Sequence, residues 1–123
     1  GPYILYNIVR IKNILSKYVQ AGGDISDVNT IFVPYTDAQR SLMLCLTTFN
    51  EVMDQAYAED APHRICGLVY DLANAFNAFY NETKILAEED EGKKISYINL
   101  IVMVKDCLEK AINILGFDAP ERM

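Results

Sequence analysis

Tyr3, Tyr6, Arg10, Asn13 and Lys17 follow one another at steps of three and four. On a helix turning about 100° per residue they fall in one sector roughly 80° wide. Aromatic and guanidinium planes accept unstacked bases, an amide reads base edges, and an ammonium neutralises a phosphate. This face therefore has the chemistry to hold single-stranded RNA. The same spacing also suits tyrosines that border a helix core beside basic residues that solvate its outer side, and periodicity alone leaves both readings open. Stacking contributes about 1 to 3 kcal/mol per base, enough for a few stacks to offset an unfavourable overall charge.

The material for catalysis is thin. His63 is the single histidine and directly follows Pro62; a general base there would need an orienting partner that no motif supplies, so a surface role is expected. Ser16, Ser26, Ser41 and Ser96 lack a nucleophile-elbow context. Gly22-Gly23 has neither the spaced glycines nor the following Lys-Ser/Thr of a phosphate loop. Cys45, Cys66 and Cys107 are odd in number and far apart, which suits reduced core thiols better than disulfides or a zinc site. The acidic run Glu88-Glu89-Asp90-Glu91 reads as a solvated connector and not a metal site. No catalytic, cofactor-binding or metal-binding residue is assigned.

The net charge of -6 excludes a large, non-specific electrostatic hold on nucleic acid. Its distribution is more permissive, because Gly1 to Gly23 carries Arg10, Lys12 and Lys17 and no acid. No uninterrupted apolar run is longer than Leu100 to Val104, which is far short of the roughly 20 residues that cross a bilayer. Arg10 and Lys12 also interrupt the apolar N-terminal stretch, so a signal peptide is not expected and the cytoplasm is the simplest location.

The elements that must position the face read as helices. At 123 residues and 51% hydrophobic, the chain suits one domain, residues 1–123. Ile4, Ile8, Ile11, Leu15 and Tyr18 form the apolar stripe of a first helix from Tyr3 to Gln20, stopped by Gly22-Gly23. Thr36 or Asp37 caps a second helix, with Leu42, Leu44, Cys45 and Leu46 as its apolar side. Thr47 or Thr48 is expected to cap a short further helix from Phe49 to Ala58. Pro62 opens the next, whose buried stripe is Ile65, Leu68, Val69, Leu72, Phe76 and Phe79. Asn81 to Lys94 reads as a connector. A last helix runs from Ile95 to Leu115, with Ile98, Ile101, Leu108, Ile112 and Leu115 inward; Gly116 closes it and Pro120 prevents resumption. Only Ile31 to Tyr35 alternates with period two. The expected fold is all-α, a helical bundle of four to five helices.

The C-terminal residues Leu115-Gly116-Phe117-Asp118-Ala119-Pro120-Glu121-Arg122-Met123 and the central Asp71-Leu72-Ala73-Asn74-Ala75-Phe76-Asn77-Ala78-Phe79-Tyr80 carry a family resemblance. So do Asp60-Ala61-Pro62-His63-Arg64-Ile65 and the opening Gly1-Pro2-Tyr3-Ile4-Leu5-Tyr6-Asn7-Ile8-Val9-Arg10-Ile11-Lys12. Together they resemble the C-terminal helical anticodon-binding domain, the DALR domain, of arginyl-tRNA synthetase, a class I aminoacyl-tRNA synthetase, over nearly the whole chain. The family's Tyr-x-x-Tyr-x-x-x-Arg pattern stands intact as Tyr3, Tyr6 and Arg10, and the resemblance implies that these three look onto the anticodon loop. It implies the same for Tyr80 and for the terminal Met123. Asp71 stands where the family usually has glutamate, and Gly67 replaces a bulkier residue; neither touches the RNA face.

What the resemblance implies for function is reading of the anticodon stem-loop of arginine tRNA, with the catalytic domain of a parent chain as second partner. Neither a membrane nor DNA is expected. The parent would carry out ATP-dependent arginylation, with ATP and Mg2+ in its catalytic domain. No cofactor is expected in these residues, and no catalysis from them alone. The missing initiator Met suggests a piece of a longer chain, and Gly1-Pro2 fits either the family's own Gly-Pro or a cleavage scar. A non-catalytic protein-interaction module is the competing expectation, since tyrosine and arginine also favour protein interfaces.

Overall fold

In the computed structural model, residues 2–25 and 34–116 are described. They form four helices, α1 (Pro2–Gln20), α2 (Asp37–Ala58), α3 (Pro62–Glu82) and α4 (Glu91–Leu115). The expected α1 stripe of Ile4, Ile8, Ile11, Leu15 and Tyr18 is buried throughout. Gly22, at φ 100°, turns the chain away, and the amides of Gly22 and Gly23 donate to the carbonyls of Val19 and Tyr18. Gly23 serves by its small size: a Cβ there would force the Tyr18 ring to move. The alternating Ile31 to Tyr35 falls mostly outside the described residues, and Pro34 and Tyr35 join no regular element.

Thr36 is the cap of α2, its hydroxyl accepting from the Gln39 amide at 3.0 Å. The expected break at Thr47 or Thr48 does not occur, and α2 continues unbroken to Ala58. Thr47 donates its hydroxyl to the Met43 carbonyl at 2.9 Å, the back-bond that lets a threonine sit in a helix interior instead of capping a new one. Leu44 also departs from expectation, being 62% exposed while Leu42 and Leu46 are buried. Two residues from each of them, it lies about 200° around the helix. At the end of α2, Asp60 adopts a left-handed φ of 52° and the Ala61 amide donates to Ala56 at 3.0 Å, closing the helix in a Schellman arrangement.

Pro62 occupies the first helical position of α3, as expected. Of the predicted stripe, Ile65, Val69, Leu72, Phe76 and Phe79 are buried, and Leu68 packs partly against the core. The connector is shorter than Asn81 to Lys94, because α3 runs to Glu82 and α4 begins at Glu91. Asp90 caps α4 by accepting from the Lys93 amide at 3.1 Å, so the acidic run is not merely a solvated linker. Its last residues start the helix, where negative charge suits the N-terminal dipole. Gly116, at φ 75°, ends α4 in the left-handed conformation.

α4 packs against all three other helices, and every residue from Ser96 to Val102 is buried. A helical segment enclosed on every side, its polar Ser96 and Asn99 included, lies at the centre of the bundle. Phe49 from α2 and Phe76 and Phe79 from α3 fill the space beside it, with the Tyr97 ring edge-on to Phe79 at 5.6 Å. Gln39 is buried without cost in unpaired groups: its Nε2 donates to Ser96 at 2.7 Å and its Oε1 accepts from the Tyr35 amide at 2.8 Å. Cys45, Cys66 and Cys107 are free thiols, half-buried. Burial, reinforced by Asp71 at Cys45 and by Asp106 at Cys107, pushes the Cys45 and Cys107 thiols up, which keeps them protonated and poorly nucleophilic. α1 and α3 lie in contact in this bundle, and their shared edge carries the residues of interest.

Candidate nucleic-acid interface

The central group of that edge is Arg10. Its guanidinium carbon lies 4.2 Å from the centre of the Tyr80 ring and 4.7 Å from that of Tyr6. Its Nη1 donates to the Asn77 amide oxygen at 3.0 Å, and its Nη2 donates to the Tyr6 hydroxyl. A planar cation can satisfy rings and acceptors at once in this way, which a lysine cannot. Tyr6 remains 54% exposed, so the ring is held yet open to a visitor.

Tyr3 is placed differently. Its hydroxyl donates to Asn74 at 2.7 Å and accepts from the Asn77 amide at 2.6 Å, and its ring stacks on Tyr70 with centroids 5.9 Å apart and planes 6° from parallel. Asn77 thereby joins Tyr3 to Arg10, one α3 side chain fixing two from α1.

A cleft of about 660 Å³ opens beside Arg10. Its walls are Tyr6, Val9, Arg10, Asn13, Ile14 and Lys17 from α1, Tyr80 and Asn81 from α3, and Thr83, Lys84, Ile85, Leu86 and Ala87 from the connector. The structure thus gathers Tyr6, Arg10, Asn13, Lys17 and Tyr80 around one space. Tyr3 lies beside it and not in its lining, and Met123 falls outside the described residues. Three cations line the cleft and no carboxylate does, in a chain of net charge -6. Among the described residues, no ion pair engages Arg10, Lys17 or Lys84. His63 is exposed, away from these walls.

A family model described as DALR anticodon binding domain matches residues 4–123. The chain belongs to that family. Curated relatives agree: the chain is 57% identical to an arginine–tRNA ligase of Agathobacter rectalis, 49% to one of Alkaliphilus oremlandii and 36% to one of Maricaulis maris. In each case the match takes in 100% of the chain but only 20 to 21% of the relative. The chain spans about a fifth of the length of these ligases.

Within this DALR domain, sequence periodicity found the α1 side of the cleft but not its opposite wall. Asn81 and Lys84 of that wall, and Asn77 beside it, escaped because they belong to α3 and the connector after it, which only the packing of α3 on α1 brings near. The signal for Asn77 was its place one turn before Asn81 and three residues before Tyr80, on a helix whose other face is the Phe76–Phe79 stripe. For Lys84 nothing in the linear order of residues points to the cleft. Among the described residues no group of His, Cys, Asp or Glu is arranged to hold a metal ion, and no helix is long and apolar enough to cross a membrane.

Proposed function

We propose that this DALR domain docks the anticodon stem-loop of arginine tRNA in the cleft beside Arg10, and so positions the acceptor end for the catalytic domain of a parent arginine–tRNA ligase. The carrying observation is the exclusion of carboxylates from a cleft that gathers two tyrosines, an arginine and two lysines in an acidic chain. Tyr6 offers an open ring for a base, Arg10 and Tyr80 form a second planar surface, and the exposed Asn13 reaches base edges. Lys17 neutralises a phosphate. Tyr3 braces this surface through Asn77, and Met123, the family's terminal residue, completes the set. Stacking worth about 1 to 3 kcal/mol per base supplies binding that the global field does not.

The parent would join arginine to its tRNA in the cytoplasm, consuming ATP through an arginyl-adenylate, with ATP and Mg2+ held by its catalytic domain. No residue of this chain is assigned to them. DNA is not a ligand in this reading.

The test is a binding titration of the full-length ligase with arginine tRNA at fixed salt. Tyr6→Ala and Arg10→Ala should each weaken binding by tenfold or more while the helical circular dichroism stays that of the wild type, and an altered anticodon should weaken binding of the wild type likewise. Wild-type affinity in both variants would refute the assignment of this face. Affinity insensitive to the anticodon would show contact without reading.

A further inference from the structure

We propose that Lys84, on the connector between α3 and α4, is a phosphate-binding residue that works with Lys17 across the cleft, so that one splayed nucleotide enters with its phosphate between the two ammonium groups and its base toward Arg10 and Tyr80. The inference rests on the reading of the cleft as an RNA site and adds the wall opposite α1 to it.

Lys84 lines the same cleft as Lys17 and Arg10, and all three stand without an acidic partner among the described residues. Acids are near in sequence, since Glu82 precedes Lys84 and Glu88 follows it. Neither pairs with it and neither lines the cleft. Elsewhere Lys12, Arg64, Lys105 and Lys110 each reach a carboxylate within 3.9 Å, while Arg40, Lys93 and Lys94 form no ion pair among the described residues; what sets the cleft apart is that its unpaired cations line one concavity free of carboxylates. Gathering like charges in one concavity is unfavourable by itself and becomes favourable when an anion enters.

The connector holds Lys84 in place. The adjoining Ile85 is 4% exposed and anchored in the core, while Lys84 itself is exposed. The backbone is thus fixed and the ammonium free to move on its stem. The cleft volume of about 660 Å³ lies in the range of small-ligand pockets, about 300 to 1,000 Å³, and leaves room for a nucleotide.

Lys84→Ala and Lys84→Arg would be compared with wild type in the full-length ligase, titrating arginine tRNA over a series of NaCl concentrations, with Tyr6→Ala as the reference for the cleft. The expected result is that Lys84→Ala weakens binding at low salt, flattens the plot of log affinity against log salt by about 0.7, the amount for a single phosphate no longer neutralised, and leaves discrimination between anticodons intact. Lys84→Arg should restore the slope. A wild-type slope for Lys84→Ala while Tyr6→Ala still weakens binding would overturn the role of Lys84 and leave the cleft assignment standing. A uniform loss at every salt concentration with the slope unchanged would overturn it too, as a reshaped connector. Wild-type binding by both Lys84→Ala and Tyr6→Ala would remove the RNA site itself.

Discussion

The guanidinium carbon of Arg10 lies 4.2 Å from the centre of the Tyr80 ring, although the two residues belong to helices at opposite ends of the chain's first two-thirds. A cation over a ring face contributes about 0.5 to 2 kcal/mol, and here it also sets the mutual placement of Tyr6 and Tyr80, since Arg10 contacts both rings. Arg10→Lys keeps the charge and loses the plane. It should lower affinity for arginine tRNA about tenfold, the equivalent of about 1.4 kcal/mol, while the salt dependence stays as in wild type. Titration of both proteins across salt concentrations checks this; an unaltered affinity would mean that charge alone is used.

Asn77 holds the two faces of this arrangement together by accepting from Arg10 at 3.0 Å and donating to the Tyr3 hydroxyl at 2.6 Å. Asn77→Ala should therefore weaken tRNA binding by acting through Arg10. In a double-mutant cycle, Asn77→Ala should cost little once Arg10→Ala is present, giving a coupling of about 0.5 to 3 kcal/mol. Fully additive losses would show that Asn77 meets the RNA independently.

The face of α1 was legible in the sequence because both its patterns are local. The stripe of Ile4, Ile8, Ile11, Leu15 and Tyr18 orients the helix, and the polar sector follows by rotation. Helix ends were legible where chemistry is positional, as at Gly22, Pro62 and Gly116. Thr47 misled because a hydroxyl that caps a helix start and one that bonds back to a carbonyl four residues earlier look alike in sequence; its bond to Met43 decides the matter. Asp90 was hidden inside a run of like charges, any of which could cap. Across the site, the family resemblance pointed to Tyr80, but Asn77 stayed out of reach because it and Tyr3 are 74 residues apart, a meeting set by how α3 lies on α1.

Gly67 offers a test of the scaffold alone. It sits in the interior of α3, is exposed, and a Cβ built there meets nothing within 4 Å. Gly67→Ala should stabilise the domain by about 1 kcal/mol, the helix-propensity difference, and raise the melting temperature by about 4 °C. At Gly23, in contrast, the same change forces the Tyr18 ring to move and should lower it. Thermal denaturation of the two variants gives opposite signs if these surroundings are right.

Glu109 ties α4 to α1. It receives a hydrogen bond from Lys105 at 3.0 Å and faces Lys12 of α1 at 3.3 Å. Burial by itself pushes its carboxyl up, but the hydrogen bonds and charges of Lys105 and Lys12 outweigh burial and leave it below the ordinary carboxylate value. A carboxylate depressed in the folded state adds stability that is fully present above its unfolded value, about 4.3, and that is lost as pH falls through the folded one. The side chain is 36% exposed, so solvent and salt screen the effect and it should be small. Urea denaturation at low ionic strength should show wild type losing stability from about pH 5 downward more steeply than Glu109→Gln, with the gap narrowing in high salt. Parallel profiles for the two proteins would show that the Lys12–Glu109 contact contributes nothing to joining the helices.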